Sequence, residues 1–106
     1  MERDDIISKF RQDAIRLYAE ASDLLVSKQI DYGPNNIQLS PFGPQVGLLV
    51  RLQDKLSRAA NLITNDINPN HESLRDTFID ILNYGAIGVM LIDGLFPDPE
   101  QKVARG

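Results

Sequence analysis

Glu72, Asp76 and Asp80 stand four residues apart, the most chemically suggestive spacing in this 106-residue chain. On an α-helix such positions drift only about 80° around the axis over two steps, so they share one stripe, which Asn83 extends. Like charges four apart repel by a few tenths of a kcal/mol per pair. The stripe therefore calls for something positive, whether a metal ion, basic side chains or both. A helix amino terminus relieves Glu72 and in part Asp76, but that effect fades within a turn and does not reach Asp80. Upstream, Arg51, Asp54, Lys55, Arg58 and Asn61 fall at steps of three, one, three and three, a polar stripe opposite a run of leucines. Side by side, the stripes set Arg51, Lys55 and Arg58 against Glu72, Asp76 and Asp80, with Asp54 joining the acids.

Three readings follow. In the first, Asp54, Asp76 and Asp80 hold Mg²⁺ or Mn²⁺, since Mg²⁺ takes one or two carboxylates together with waters and substrate phosphates. Glu72 is then a further ligand or the base that orients water, so Glu72, Asp76 and Asp80 are the candidate catalytic acids. Arg51, Lys55 and Arg58 neutralise phosphate, arginine by bidentate contact and lysine as a point charge. In the second reading Asp80 is half of a buried ion pair with Arg58 or Lys55 that fixes helix register. In the third the stripes are a solvated face, worth under about 1 kcal/mol per exposed pair. The apolar neighbours of Asp80 argue against the third, because a core carboxylate is seldom left without a partner.

Other residues offer less. His71, the only histidine, precedes the third helical segment as a neighbour of its cap. No serine has a GxSxG context, and glycines 33, 43 and 47 form no phosphate or dinucleotide fingerprint. Glu20 and Asp23 have metal-pair spacing, but more simply face solvent.

Three helices must position these groups. The first is predicted over about Asp4–Gln29, with Ile6, Ile7, Phe10, Ala14, Leu17, Tyr18, Ala21, Leu24 and Leu25 at three- and four-residue steps. The second runs from about Pro44, suited to a first helical turn, to Thr64. The third spans about Glu72–Gly94, after the breakers of 65–70. The connection DYGPNNIQLSPFG is long for a small bundle, and such loops are usually functional or floppy. No alternating strand pattern appears, so the expected fold is all-α, one domain over 1–106 with a core at about 4–95 and a tail at 96–106. From Thr77 to Ile92 nearly every residue is apolar or small, which predicts burial on most sides. A chain this short cannot surround that helix alone, so the bundle is expected to be completed by a homodimer or larger homo-oligomer. Gly85, Ala86 and Gly88 would let a neighbour approach closely.

Composition narrows the function classes. Eleven basic and 15 acidic residues give a net charge of −4, which disfavours direct nucleic-acid binding but leaves room for a small anion. Zero cysteines exclude disulfides, thiolate metal sites and cysteine nucleophiles. A charged amino terminus and the lack of any 18-residue apolar run predict a cytoplasmic protein without a membrane span.

The strings KQIDYGPNNI, VRLQDKLSRAANL and ESLRDTFIDILNYGAI resemble the phage and bacterial nucleotide-modification-associated domain of type 1. The matching positions are Lys28, Asp31, Tyr32 and Gly33, then Arg51, Asp54, Lys55 and Arg58, then Glu72, Ser73, Asp76, Thr77, Asp80 and Tyr84. A more distant similarity is to the all-α MazG-like nucleoside triphosphate pyrophosphohydrolases, although their first Glu-x-x-Glu motif has only Asp54 in its place here. The resemblance implies nucleotide metabolism. It implies a nucleotide held by Lys28, Asp31, Tyr32, Asn35, Arg51, Lys55 and Arg58, with Tyr32 stacking on the base and Asn35 or Asn36 at its edge. It further implies metal-dependent hydrolysis of a dNTP to a monophosphate and pyrophosphate, or else a noncatalytic nucleotide-binding module.

Overall fold

A computed structural model describes residues 2–33, 35–65 and 72–97. Helix α1 spans Arg3–Tyr32, α2 Asn35–Gln38, α3 Pro44–Thr64 and α4 Glu72–Asp93, and no strand occurs among the described residues. The all-α expectation holds, with α3 and α4 close to their predicted bounds. No helix among the described residues is long and apolar enough to cross a membrane.

The first helix runs past its predicted end, so Asp31 and Tyr32 form its last turn rather than a loop. Glycine sets the stop. Gly33 adopts φ 78°, open to glycine without a Cβ penalty, and its N–H bonds the Gln29 carbonyl at 2.9 Å. The connection that follows is not structureless, because the one-turn α2 places Ile37 in the core at 1% exposure.

The core is small and draws on every helix. Ile37, Leu48, Ile87 and Phe96 are buried together, with Leu25, Leu52, Tyr84, Met90 and Leu91 packed against them. Helices α3 and α4 form the main packed pair. A Cβ on Gly88 would stand 3.3 Å from Leu48 Cδ2, so glycine here allows the close approach of α3. Of the small residues expected to admit a neighbour, Gly88 does so within the chain, whereas Gly85 is exposed with nothing near it. Phe96 departs from its assignment to the tail. Beyond Gly94 at φ 70° the Leu95 N–H bonds the Met90 carbonyl at 2.8 Å, and this reversal folds Phe96 back onto the core at 5% exposure.

Within one chain α4 is not enclosed, since Phe78, Val89 and Ile92 are exposed. Helix α1 is barer still. From Arg3 to Glu20 only Ala14 is even half-buried. Three polar ties join α1 to α4: a bidentate Arg75–Glu20 pair at 2.7 and 2.8 Å, the Asn83 side-chain amide to the Ala21 carbonyl at 3.0 Å, and Lys28 to Asp80.

Candidate functional site

Asp80 lies at the centre of the most polar interior region. One carboxylate oxygen accepts from Lys28 Nζ at 2.8 Å, and the other lies 2.9 Å from Lys55 Nζ. Three helices meet in this bridge, α1 through Lys28, α3 through Lys55 and α4 through Asp80. The Asp80 side chain is 14% exposed, while Lys28 and Lys55 retain 42% and 30%. Burial pushes the Asp80 carboxyl up, but hydrogen bonds and charge from the two ammonium groups outweigh it and hold the group below its ordinary 3.8. The Lys28 ammonium is raised above 10.5, chiefly by its hydrogen bond to Asp80, against an opposing effect of burial. Both shifts keep the pair charged at neutral pH.

Around this bridge is a cavity of about 280 Å³. Lys28, Gln29 and Tyr32 line it from α1, Asn36 and Ile37 from α2, Arg51 and Lys55 from α3, and Asp80, Asn83 and Tyr84 from α4. Leu25 and Ile87 supply an apolar floor. Three cations and one acid give this lining a local charge of +2, in a chain whose total is −4. Hydrogen-bonding amides, two phenols and an apolar floor around excess positive charge suit a small anion with a planar polar part.

Arg51 has a second task. Its guanidinium donates to the Asn36 carbonyl at 2.8 Å and the Gly47 carbonyl at 3.2 Å, and lies 3.5 Å from Ser40 Oγ. It therefore clamps α2 onto the start of α3. Ser40 sits so close to Gly47 that a Cβ there would collide with it. Gln29 completes the wall by donating to the Gly33 carbonyl at 2.7 Å and to Asn36 Oδ1 at 3.1 Å.

Comparison with family models, with curated proteins and with solved structures finds no match to this chain. Its own geometry carries the reading.

Of the predicted residues, Lys28, Tyr32, Arg51, Lys55 and Asp80 converge on the cavity. Asp31, Asp54, Arg58, Glu72 and Asp76 are exposed and outside its lining. The side chain of Asn35 and all of His71 fall outside the described residues. Asp80 takes Lys55, one of its two expected ion-pair partners, and its second partner is Lys28 rather than Arg58. Two other juxtapositions differ: Arg51 turns to the α2 carbonyls, and Asn83 is buried against α1 rather than continuing an acidic stripe. Glu72 and Asp76 stay outside because of their place along the axis, not their angle: each lies about 20° from buried Asn83 around the helix, but both sit in the first turns of α4, before the level that Lys28 and Lys55 reach. Similarly, Glu20 of the Glu20/Asp23 pair takes Arg75.

The implied Mg²⁺ fits this arrangement poorly. Each Asp80 oxygen already faces an ammonium, and among the described residues no three of His, Cys, Asp and Glu gather closely enough to hold a metal ion. Sequence reasoning missed Gln29 and the Lys28–Asp80 pairing across 52 positions. A signal existed: Ala21, Leu25, Lys28 and Tyr32 follow one helical face, placing a cation in line with core residues.

Proposed function

We propose that this protein binds a nucleotide in the Lys28–Lys55–Asp80 cavity, with the phosphate on the two lysines and the base against Tyr32. One observation carries the reading: two ammonium groups from different helices converge on a single, mostly buried carboxylate at the wall of a cavity with net positive charge. A phosphate can share both lysines with Asp80, because each ammonium has three donors and only one points at the carboxylate. Asp80 then acts as a positioning residue that draws both lysines to the cavity wall. Tyr32, at 63% exposure on the rim, offers a stacking face, and Gln29 and Asn36 offer amide groups for a base edge. The resemblance to nucleotide-modification-associated domains supports the same ligand class. A homo-oligomer belongs to this reading.

The test is calorimetric titration with deoxynucleoside mono- and triphosphates, with and without Mg²⁺. Saturable binding that persists without Mg²⁺ is expected, and Lys55→Ala should weaken it by about tenfold or more, the loss of one charge-assisted hydrogen bond. Absence of binding to every nucleotide would overturn the reading. Pyrophosphate release from a dNTP only with Mg²⁺ or Mn²⁺, abolished in Asp80→Asn, would instead favour metal-dependent hydrolysis.

A further inference from the structure

Helix α1 carries one continuous apolar seam that the chain itself uses only in part. Ile7, Phe10, Ala14, Leu17, Ala21 and Leu24 recur at alternating steps of three and four, the spacing by which helices pair. The carboxy-terminal part of this face is occupied inside the protomer, where Ala21 is buried at 2%, Leu25 packs on the core and Lys28 reaches Asp80. The amino-terminal part of the same face is bare, with Phe10 74% exposed and Ile7 and Leu17 above 40%. About 25 Å of helix precedes Glu20, the first α1 residue tied to α4. A helix of that length holding large apolar groups in water is marginal without packing.

Extent and charge indicate what covers it. Ile6, Ile7, Phe10, Leu17 and Tyr18 are each more than 40% exposed along this face, an apolar strip about 25 Å long that matches a second helix of the same length. Between Arg3 and Glu20 four bases, Arg3, Lys9, Arg11 and Arg16, balance Asp4, Asp5, Asp13 and Glu20. This segment is neutral although the chain carries −4, so it meets an identical segment without net repulsion. A two-fold contact places the same patch on both sides, as this self-balanced seam permits.

We propose that a second copy of this chain covers the Ile7–Phe10–Ala14–Leu17 face, α1 against α1, and that this pairing holds Lys28 over the cavity. The second clause rests on the nucleotide-binding reading; the first does not. Lys28 lies three turns beyond Leu17 on the same helix and face, so anchoring the amino-terminal half restrains the swing of α1 across α4. Lys28 is the one charged group lining the cavity that α1 supplies.

Sedimentation of the full chain tests the pairing, using a Phe10→Glu/Leu17→Glu double variant and an Ile15→Glu control. Ile15 is equally bare but about 120° from the centre of the seam. None of the three residues belongs to the core cluster, and a cooperative melt confirms that each variant folds. The parent and the control are expected to be dimers, and the double variant a monomer that binds thymidine monophosphate about fivefold or more weakly. A monomeric parent, or a control as monomeric as the double variant, overturns the pairing. A monomeric double variant with parental affinity overturns the coupling to Lys28. If the parent dimerises but binds no thymidine monophosphate, the coupling falls with the ligand reading while the α1 interface stands.

Discussion

Asp80 has only two oxygens, and both are committed to lysines. Replacing it with Asn leaves two ammonium groups facing each other without the charge that joined them. Loss of one partner from a fully buried pair is worth about 3–5 kcal/mol, and from an exposed pair about 0.2–1 kcal/mol. With Asp80 mostly buried and its lysines partly wet, Asp80→Asn should fall between these ranges in urea unfolding. The vacated lysines should then favour an outside anion, so inorganic phosphate is expected to raise the melting temperature of Asp80→Asn more than that of the parent. Stabilisation of the parent by Mg²⁺, lost in Asp80→Asn, would point to a carboxylate that takes metal in place of lysine. The pH dependence has a definite sign. A carboxyl with a depressed folded pKa contributes fully above its unfolded value, near 3.8, and that contribution is lost as pH falls through the lower folded value. Lys28 is the opposite case, contributing fully below 10.5 and losing its share as pH rises through its elevated folded value. Stability from this bridge should therefore be flat across neutral pH and decline at both extremes.

At the scale of elements, α2 depends on α3 more than on itself. Four residues make one turn, too short to persist alone. Ile37 in the core and Arg51 on the Asn36 carbonyl hold it in place. Arg51→Met keeps the apolar stem but removes the guanidinium, and should cost about 1.5–3 kcal/mol, the range for hydrogen bonds to a charged group. Arg51→Lys should recover little, because an ammonium lacks the planar fork that spans two carbonyls. Amide exchange across 36–40 reads the effect directly, and unchanged protection in Arg51→Met would mean that the guanidinium does not hold α2 in place. Within the long connection between the first and second predicted helices, Asn36 and Ile37 of α2 thus wall the cavity. Its Phe42, at φ 66° and 92% exposure, is the one non-glycine residue with positive φ among those described.

For the whole molecule, the bare α1 seam and the positive cavity in an acidic chain are linked through one helix. Helix α1 contributes both the bare seam and Lys28, so association and ligand binding share an element. Because the Asp80 carboxyl is held below its ordinary value and the Lys28 ammonium above its own, the pH profile of binding near neutrality should belong to the ligand. A phosphate monoester gains its second charge near pH 6, so affinity for a nucleoside monophosphate should rise between about pH 5 and 7 and then level off. Calorimetry across that range checks it, and a profile that falls over the same interval would assign the cavity to a different ligand class.

Much of this was legible in the sequence, and for local reasons. Three- and four-residue apolar spacing, Pro44 at a helix start and the breakers after Thr64 and Asp93 determine the long helices, because helix periodicity and turn chemistry act over a few residues. The apolar surroundings of Asp80 already required a partner for it. Which partner was a tertiary matter: Lys28 and Asp80 are 52 positions apart, and the crossing of α1 over α4 brings them together. Tertiary packing likewise turned Arg51 from a phosphate ligand into a clamp as well, buried Asn83 against Ala21 and recovered Phe96 from an expected tail. A stripe on one helix says which residues share a face, whereas only the packing of several helices says which of them meet.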